Sequence, residues 1–256
     1  MSNILSNKTV IVTGGAGGLG KAIATAALEA GANVVIVDIN EPLLEQCYSE
    51  LSPQGPLLSV KADVTCESSA QDIFTRTTEK FGGVDVLVNN AGIMDTFKPV
   101  GEIDMVEFER VMSINVKGPA ILSKLAVNAF LAKETPSGNI VNIGSQSSFR
   151  GGIAGVAYTA SKHALKGITL NTAAMYGSKG IRCNIIMPGG MHTNIADCFK
   201  SGVHEEGFAT MKKSMHVHAP MVDTKNLGKT VTYLMSDYSD TINGACITAD
   251  GGWAAF

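Results

Sequence analysis

The sequence predicts an α/β protein built on a doubly wound parallel sheet of seven strands. Three observations carry this expectation. Short β-rich runs alternate with helix-length segments along the chain, several of those runs are continuously apolar, and a glycine-rich turn joins the first run to the first helix. Val34-Val35-Ile36-Val37 reads as a strand covered on both faces, since a strand with one wet face would alternate. Strand-helix alternation of this kind implies a sheet with helices packed on both sides.

In order, the expected strands are residues 9–13, 33–38, 57–63, 84–89, 139–144, 181–187 and 245–248. The expected helices are 19–30, 42–51, 68–81, 105–116, 120–132, 157–176 and 224–235. No Pro- or Ser-rich linker interrupts the pattern, so residues 1–256 are expected to form one domain. The one long irregular stretch is 193–224, rich in Met and His and holding a short predicted helix. A connection of that length inside a domain is usually functional, most often a lid over a binding site.

Composition narrows the function. The 45% hydrophobic and 17% charged residues exclude a disordered chain. A net charge of −3 without any basic run argues against a nucleic-acid binder. The first eight residues lack the order of a signal peptide, and no apolar run is long enough to span a bilayer. Cys47, Cys66, Cys183, Cys198 and Cys246 are odd in number and scattered, the usage of free thiols in a reducing compartment. The expected location is therefore cytoplasmic.

The first strand runs into Thr13-Gly14-Gly15-Ala16-Gly17-Gly18-Leu19-Gly20. Glycines 14, 18 and 20 permit a tight turn, close approach to a pyrophosphate, and close helix-sheet packing. The following helix N-terminus offers unpaired N–H groups to the same anion. This is the dinucleotide turn of a Rossmann-type fold. Gly15 to Lys21 also fits the start of a P-loop, but Ala22 follows where a Mg²⁺-holding hydroxyl belongs. Asp38 ends the second strand, where a carboxylate accepts bonds from the adenosine ribose hydroxyls. Neither Ile39 nor Gly17 supplies a cation for a 2′-phosphate, so NAD is expected rather than NADP.

These residues resemble the short-chain dehydrogenase/reductase family in its compact single-domain form. The likeness runs from Thr9 to Trp253 and rests on Thr13-Gly-x-x-x-Gly-x-Gly20, Asp63-Val64, Asn89-Asn90-Ala91-Gly92, Asn115, Ser145, Tyr158-x-x-x-Lys162 and Pro188-Gly189. The chemistry can be rebuilt from the residues. Tyr158 and Lys162 are four apart on one predicted helix face. An ammonium beside a phenol favours the phenolate, so the hydroxyl can exchange a proton with an alcohol or carbonyl oxygen. Ser145 ends the fifth strand and can hold the same substrate oxygen. The resemblance further implies that Lys162 holds the nicotinamide ribose and that Asn115 anchors a water of a proton relay. It places Asp63 and Val64 at adenine. Asn90, Ala91 and Gly92 shape the cofactor wall. Pro188, Gly189, Met191 and Thr193 lie beside the nicotinamide, Thr193 bonding its carboxamide.

For substrate, family geometry places Met94, Ser147, Phe149, Gly190 and Met191 with the 193–221 loop around the pocket. Met187, Met191, Met211, Met215 and Met221 suggest a soft apolar wall for a bulky or cyclic alcohol or ketone, or are plain core. Four His residues, 192, 204, 216 and 218, have no carboxylate or cysteine cluster to complete a metal site, and none is expected. Small and apolar residues on more than one face of helices 120–132 and 157–176 leave a face for a partner subunit. By resemblance a homotetramer, or a homodimer, is expected, with residues 253–256 at a subunit boundary. Two alternatives stay open: an NADPH-type 3-oxoacyl reductase, and a non-catalytic NAD-binding sensor or scaffold.

Overall fold

A computed structural model describes residues 3–193, 202–214 and 221–255. Seven strands, β1 (Thr9–Thr13), β2 (Asn33–Asp38), β3 (Leu57–Lys61), β4 (Val86–Asn89), β5 (Gly138–Ile143), β6 (Ile181–Pro188) and β7 (Cys246–Ala249), form one sheet in the order β3-β2-β1-β4-β5-β6-β7. Every pair is parallel, with Val12 level with Ile36 and with Val88. The chain crosses from one half of the sheet to the other between β3 and β4. The crevice so made at the carboxyl ends of β1 and β4 is where such sheets bind ligands.

Strand residues alternate between two apolar layers. Val10, Val12, Val34 and Ile36 pack under α1 (Gly18–Glu29), α2 (Glu41–Leu51) and α8 (Thr224–Met235). Ile11, Val35, Leu87 and Ile140 pack under α3 (Glu67–Phe81) and α5 (Gly118–Leu131) on the other face. Full burial of such side chains contributes about 1.5–3 kcal/mol each. Apolar residues at both parities explain why the runs read as continuous.

The expected helices 105–116 and 120–132 are joined. Helix α4 (Met105–Met112) passes through a π turn, Ser113–Lys117, directly into α5. In regular α geometry the Pro119 ring would meet the carbonyl of residue 115, and the widened turn gives it room. Strand ends shift by one or two residues from expectation, chiefly β3, which stops at Lys61. Helix α6 (Val156–Tyr176) packs along β6, and α7 (Glu205–Ser214) supplies the short helix expected inside 193–224. The rest of that loop, with Cys198, Met215, His216 and His218, lies largely outside the described residues, as does Phe256. Trp253 is buried within its own chain, while Ala254 and Ala255 beside it are accessible. Among the described residues, no helix is long and apolar enough to cross a membrane.

Candidate active site

The glycine turn is shaped for close approach. Gly14 has φ +60°, which L side chains rarely adopt, and a Cβ on Gly20 would lie 2.0 Å from the Gly14 carbonyl oxygen. Gly17 stands at the N-cap of α1 with no side chain capping the helix and no acidic residue in its first turn. Its N–H groups are thus left for an external anion. The Leu19 side chain is buried in the core, so only its backbone faces the turn. The hydroxyl of Thr13 accepts from the N–H groups of Asn90 and Ala91, and the Asn90 amide donates to the Thr13 and Gly14 carbonyls. The start of the Asn90–Gly92 wall is thereby bolted to the turn.

At the end of β2, Asp38 Oδ2 accepts from Ala16 N at 3.2 Å and Oδ1 from Asn40 N at 3.0 Å. Lys61 lies level with it on β3, but its ammonium is paired with Glu41 at 2.7 Å. Lys21 turns away from the glycine turn to Glu50, which removes the P-loop reading. Asp63 is exposed and accepts from the Thr65 N–H and hydroxyl, while Val64 is buried against Gly118.

Four polar side chains converge at the carboxyl ends of β4 and β5. Ser145 follows β5, and its Oγ accepts from Ser147 N at 3.1 Å, leaving its own proton to donate. Tyr158 is buried in the first turn of α6. One turn on, Lys162 Nζ stands 5.5 Å from the Tyr158 ring centre and donates to the Ile143 carbonyl at 2.8 Å. Burial pushes the Lys162 ammonium down to about 8. Asn115 sits in the π turn, its amide donating to the Ile93 carbonyl at 2.8 Å and to Ser161 Oγ at 3.1 Å. Ser161 in turn donates to the Tyr158 carbonyl at 2.7 Å. A Cβ on Gly92 would lie 3.2 Å from Asn115 Oδ1 and 3.7 Å from Lys162 Nζ, so both side chains close on Gly92.

A family model described as Enoyl-(Acyl carrier protein) reductase matches residues 14–254. A short chain dehydrogenase/reductase of Gibberella zeae is 44% identical over 98% of this chain and 95% of its own. The chain belongs to the short-chain dehydrogenase/reductase family. Also similar is 3beta-hydroxysteroid dehydrogenase 2 of Eggerthella lenta, 37% identical over 99% of this chain and 97% of its own. The solved structure of levodione reductase superposes with a TM-score of 0.89 at 32% identity, over 98% of this chain and all of that one. A structure from Agrobacterium tumefaciens with bound NADP reaches 0.84 at 29% identity over the whole of both chains. As a short-chain dehydrogenase/reductase the protein is an oxidoreductase of a family that binds a nicotinamide cofactor.

Other expected residues of this short-chain dehydrogenase/reductase divide. Gly189, Gly190, Met191 and Thr193 are partly exposed after β6, and Thr193 lies over Gly18, where a Cβ would meet its side chain at 3.1 Å. Pro188 is the buried end of β6. Met94 and Phe149 are accessible, and Met221 is seated on Gly190. Ser147 is fully buried with its hydroxyl unpartnered, and so does not line an open pocket as expected. Met187 is core. Sequence reasoning took only Met94 from the segment after Gly92. There Glu107 accepts from the Thr96 N–H and hydroxyl, Thr96 O accepts from His204 N, and the Phe97 ring meets Phe208 of α7 edge-on at 5.2 Å. Phe97 has φ +67°, a strained backbone for a non-glycine residue.

Proposed function

We propose that the protein is an NAD-dependent oxidoreductase that interconverts a secondary alcohol and its ketone, with Tyr158 as acid/base. The observation that carries this reading is Tyr158 on the first turn of α6 with the Lys162 ammonium beside its ring. Asp38 would hold the adenosine ribose, and Gly14, Gly17, Gly18, Leu19 and Gly20 the pyrophosphate through backbone N–H groups. Asp63 and Val64 would flank adenine, with Ile39 exposed at the rim. Asn90, Ala91, Gly92, Pro188, Gly189, Met191 and Thr193 would form the nicotinamide side. The uncapped α1 N-terminus and the glycine cradle support the fit.

When bound, the nicotinamide accepts or supplies the hydride. Tyr158 takes the alcohol proton, or returns it to the carbonyl oxygen. The Lys162 charge stabilises the phenolate, the form that takes the alcohol proton and the form left when the proton goes to a carbonyl oxygen. Ser145 donates to the same oxygen and stabilises its developing charge. Asn115 closes the site behind Lys162 and would anchor the water that continues the relay; Pro119 has no N–H to give the Asn115 carbonyl four residues earlier.

Met94, Phe149, Met191 and Met221 suit a bulky, cyclic apolar substrate, the class that the hydroxysteroid-named relative would also imply. Residues 193–224 would act as its lid within a single domain of 256 residues. Outward residues of α5 such as Ile121 and Leu125 suit a partner subunit, for which we infer a homotetramer in the cytoplasm. Screening cyclic and acyclic alcohols and ketones with NAD and NADP, followed by nicotinamide absorbance, tests the reading. NAD turnover with cyclic substrates is expected. Preference for NADPH with 3-oxoacyl thioesters would favour the oxoacyl reductase, and binding without turnover would favour a sensor.

A further inference from the structure

We propose that Asp95, on the loop after β4, is the N-cap of helix α6 and positions Tyr158. This rests on the reading of Tyr158 as acid/base. The residue at the N-cap position of α6 is Gly155, with extended backbone and no side chain to give. The first turn also lacks an acidic residue. Asp95, 60 residues upstream and 1% exposed, fills that role from outside. Its Oδ2 accepts from Tyr158 N at 2.8 Å, and its Oδ1 from Gly155 N at 2.9 Å and Phe97 N at 3.2 Å. Tyr158 is the third residue of the helix, one of the two whose N–H a capping side chain ordinarily holds.

Gly155 and Asp95 are complementary. A Cβ on Gly155 would lie 2.6 Å from Asp95 Oδ2 and 2.8 Å from Oδ1, so the absent side chain and the borrowed carboxylate share one space. The Val156 N–H is taken by the Lys98 carbonyl at 3.0 Å, from the same loop. That loop also carries Met94 and docks α7 through Thr96 and Phe97. The backbone of Tyr158 is therefore fixed by the segment that forms one wall of the site. Without Asp95 that N–H loses its carboxylate acceptor, and the first turn is free to fray.

Asp95→Ala is expected to lower kcat about 10–100-fold, the effect of displacing a reacting group by about an ångström. The Kd for NADH, read by the fluorescence of its reduced nicotinamide, should stay within about fivefold, because Asp38 and the glycine turn are untouched. Asp95→Ala/Gly155→Asp moves the cap onto the helix itself and should recover at least about tenfold in kcat, whereas Gly155→Asp alone crowds two carboxylates and should not gain. In the Tyr158→Phe enzyme, adding Asp95→Ala should cost less than about threefold, since there is no acid/base left to misplace. An equal loss in both backgrounds, or no recovery by the relocated cap, overturns the proposal. If Asp95→Ala does not fold, Asp95→Asn, which keeps one acceptor, takes its place with the same comparisons. Full turnover by Tyr158→Phe would overturn the acid/base reading and this inference with it. Normal kcat in Asp95→Ala beside a slow Tyr158→Phe would overturn the capping role alone.

Discussion

Exchanging Asp38 for Ser together with Ile39 for Arg will narrow or reverse the cofactor preference. Each Asp38 oxygen already accepts one backbone N–H, from Ala16 and Asn40, and keeps further lone pairs for ribose hydroxyls. A hydrogen bond to such a charged group contributes about 1.5–3 kcal/mol. A 2′-phosphate forfeits that bond and meets the carboxylate at short range. One like-charge pair about 4 Å apart costs about 1 kcal/mol in water and about 4 at an effective dielectric of 20. The lower ends sum to about 2.5 kcal/mol, so wild type should favour NAD by about 100-fold. Ile39 is 65% exposed, which leaves a guanidinium room to pair with the phosphate. The Ser variant also gives up one of the two backbone bonds that shape the turn, so its kcat/KM with NAD should fall about tenfold. The assay is kcat/KM for both cofactors in wild type and double variant at one ionic strength. Wild-type preference for NADP would refute the reasoning, and would point to Lys61 leaving Glu41. A double variant with an unchanged ratio would refute it as well.

The lysine that neighbours Tyr158 carries its charge only below about pH 8, so kcat/KM for alcohol oxidation should fall above that pH. Lys162→Arg, which stays charged, should move the fall upward; a fall at the same pH would separate it from Lys162. Among the described cysteines, Cys66 is expected to react first with iodoacetamide, with a midpoint near pH 7. Its thiolate is held at about 7 by bonds from Ser68 and Ser69, whereas burial pushes Cys183 up to about 12 and also raises Cys47. Peptide mapping that finds Cys183 labelled first would contradict this. Gly207→Ala should raise KM about tenfold with little change in NAD binding. Its Cβ would lie 1.9 Å from the Phe97 carbonyl oxygen and would lift α7 off the loop; an unchanged KM would detach α7 from substrate binding.

Much of this was legible because it is local. Continuous apolar runs marked strands buried on both faces, and Asp38, Tyr158 and Lys162 sit at spacings that secondary structure fixes. The π turn was not legible. Gly118-Pro119 reads as a helix break, and only the widened ladder that Asn115 occupies lets the helix continue. Asp95 was hidden for the opposite reason. Capping is usually sought within three residues, and here the cap comes from another element, leaving only a glycine at the expected position. Ser147 misled because a residue near a strand end can face the crevice or the core, and one face cannot be told from the other by residue type; Met187 takes the core reading, one of the two its sequence left open.

The most direct test of the central claim is Tyr158→Phe, which keeps the ring and removes the hydroxyl proposed as acid/base. The NAD dissociation constant and single-turnover oxidation of a cyclic alcohol would be measured on the same preparation. Unchanged binding with a rate loss of about 10²–10⁴-fold is the predicted result. A rate within a few-fold of wild type would contradict it.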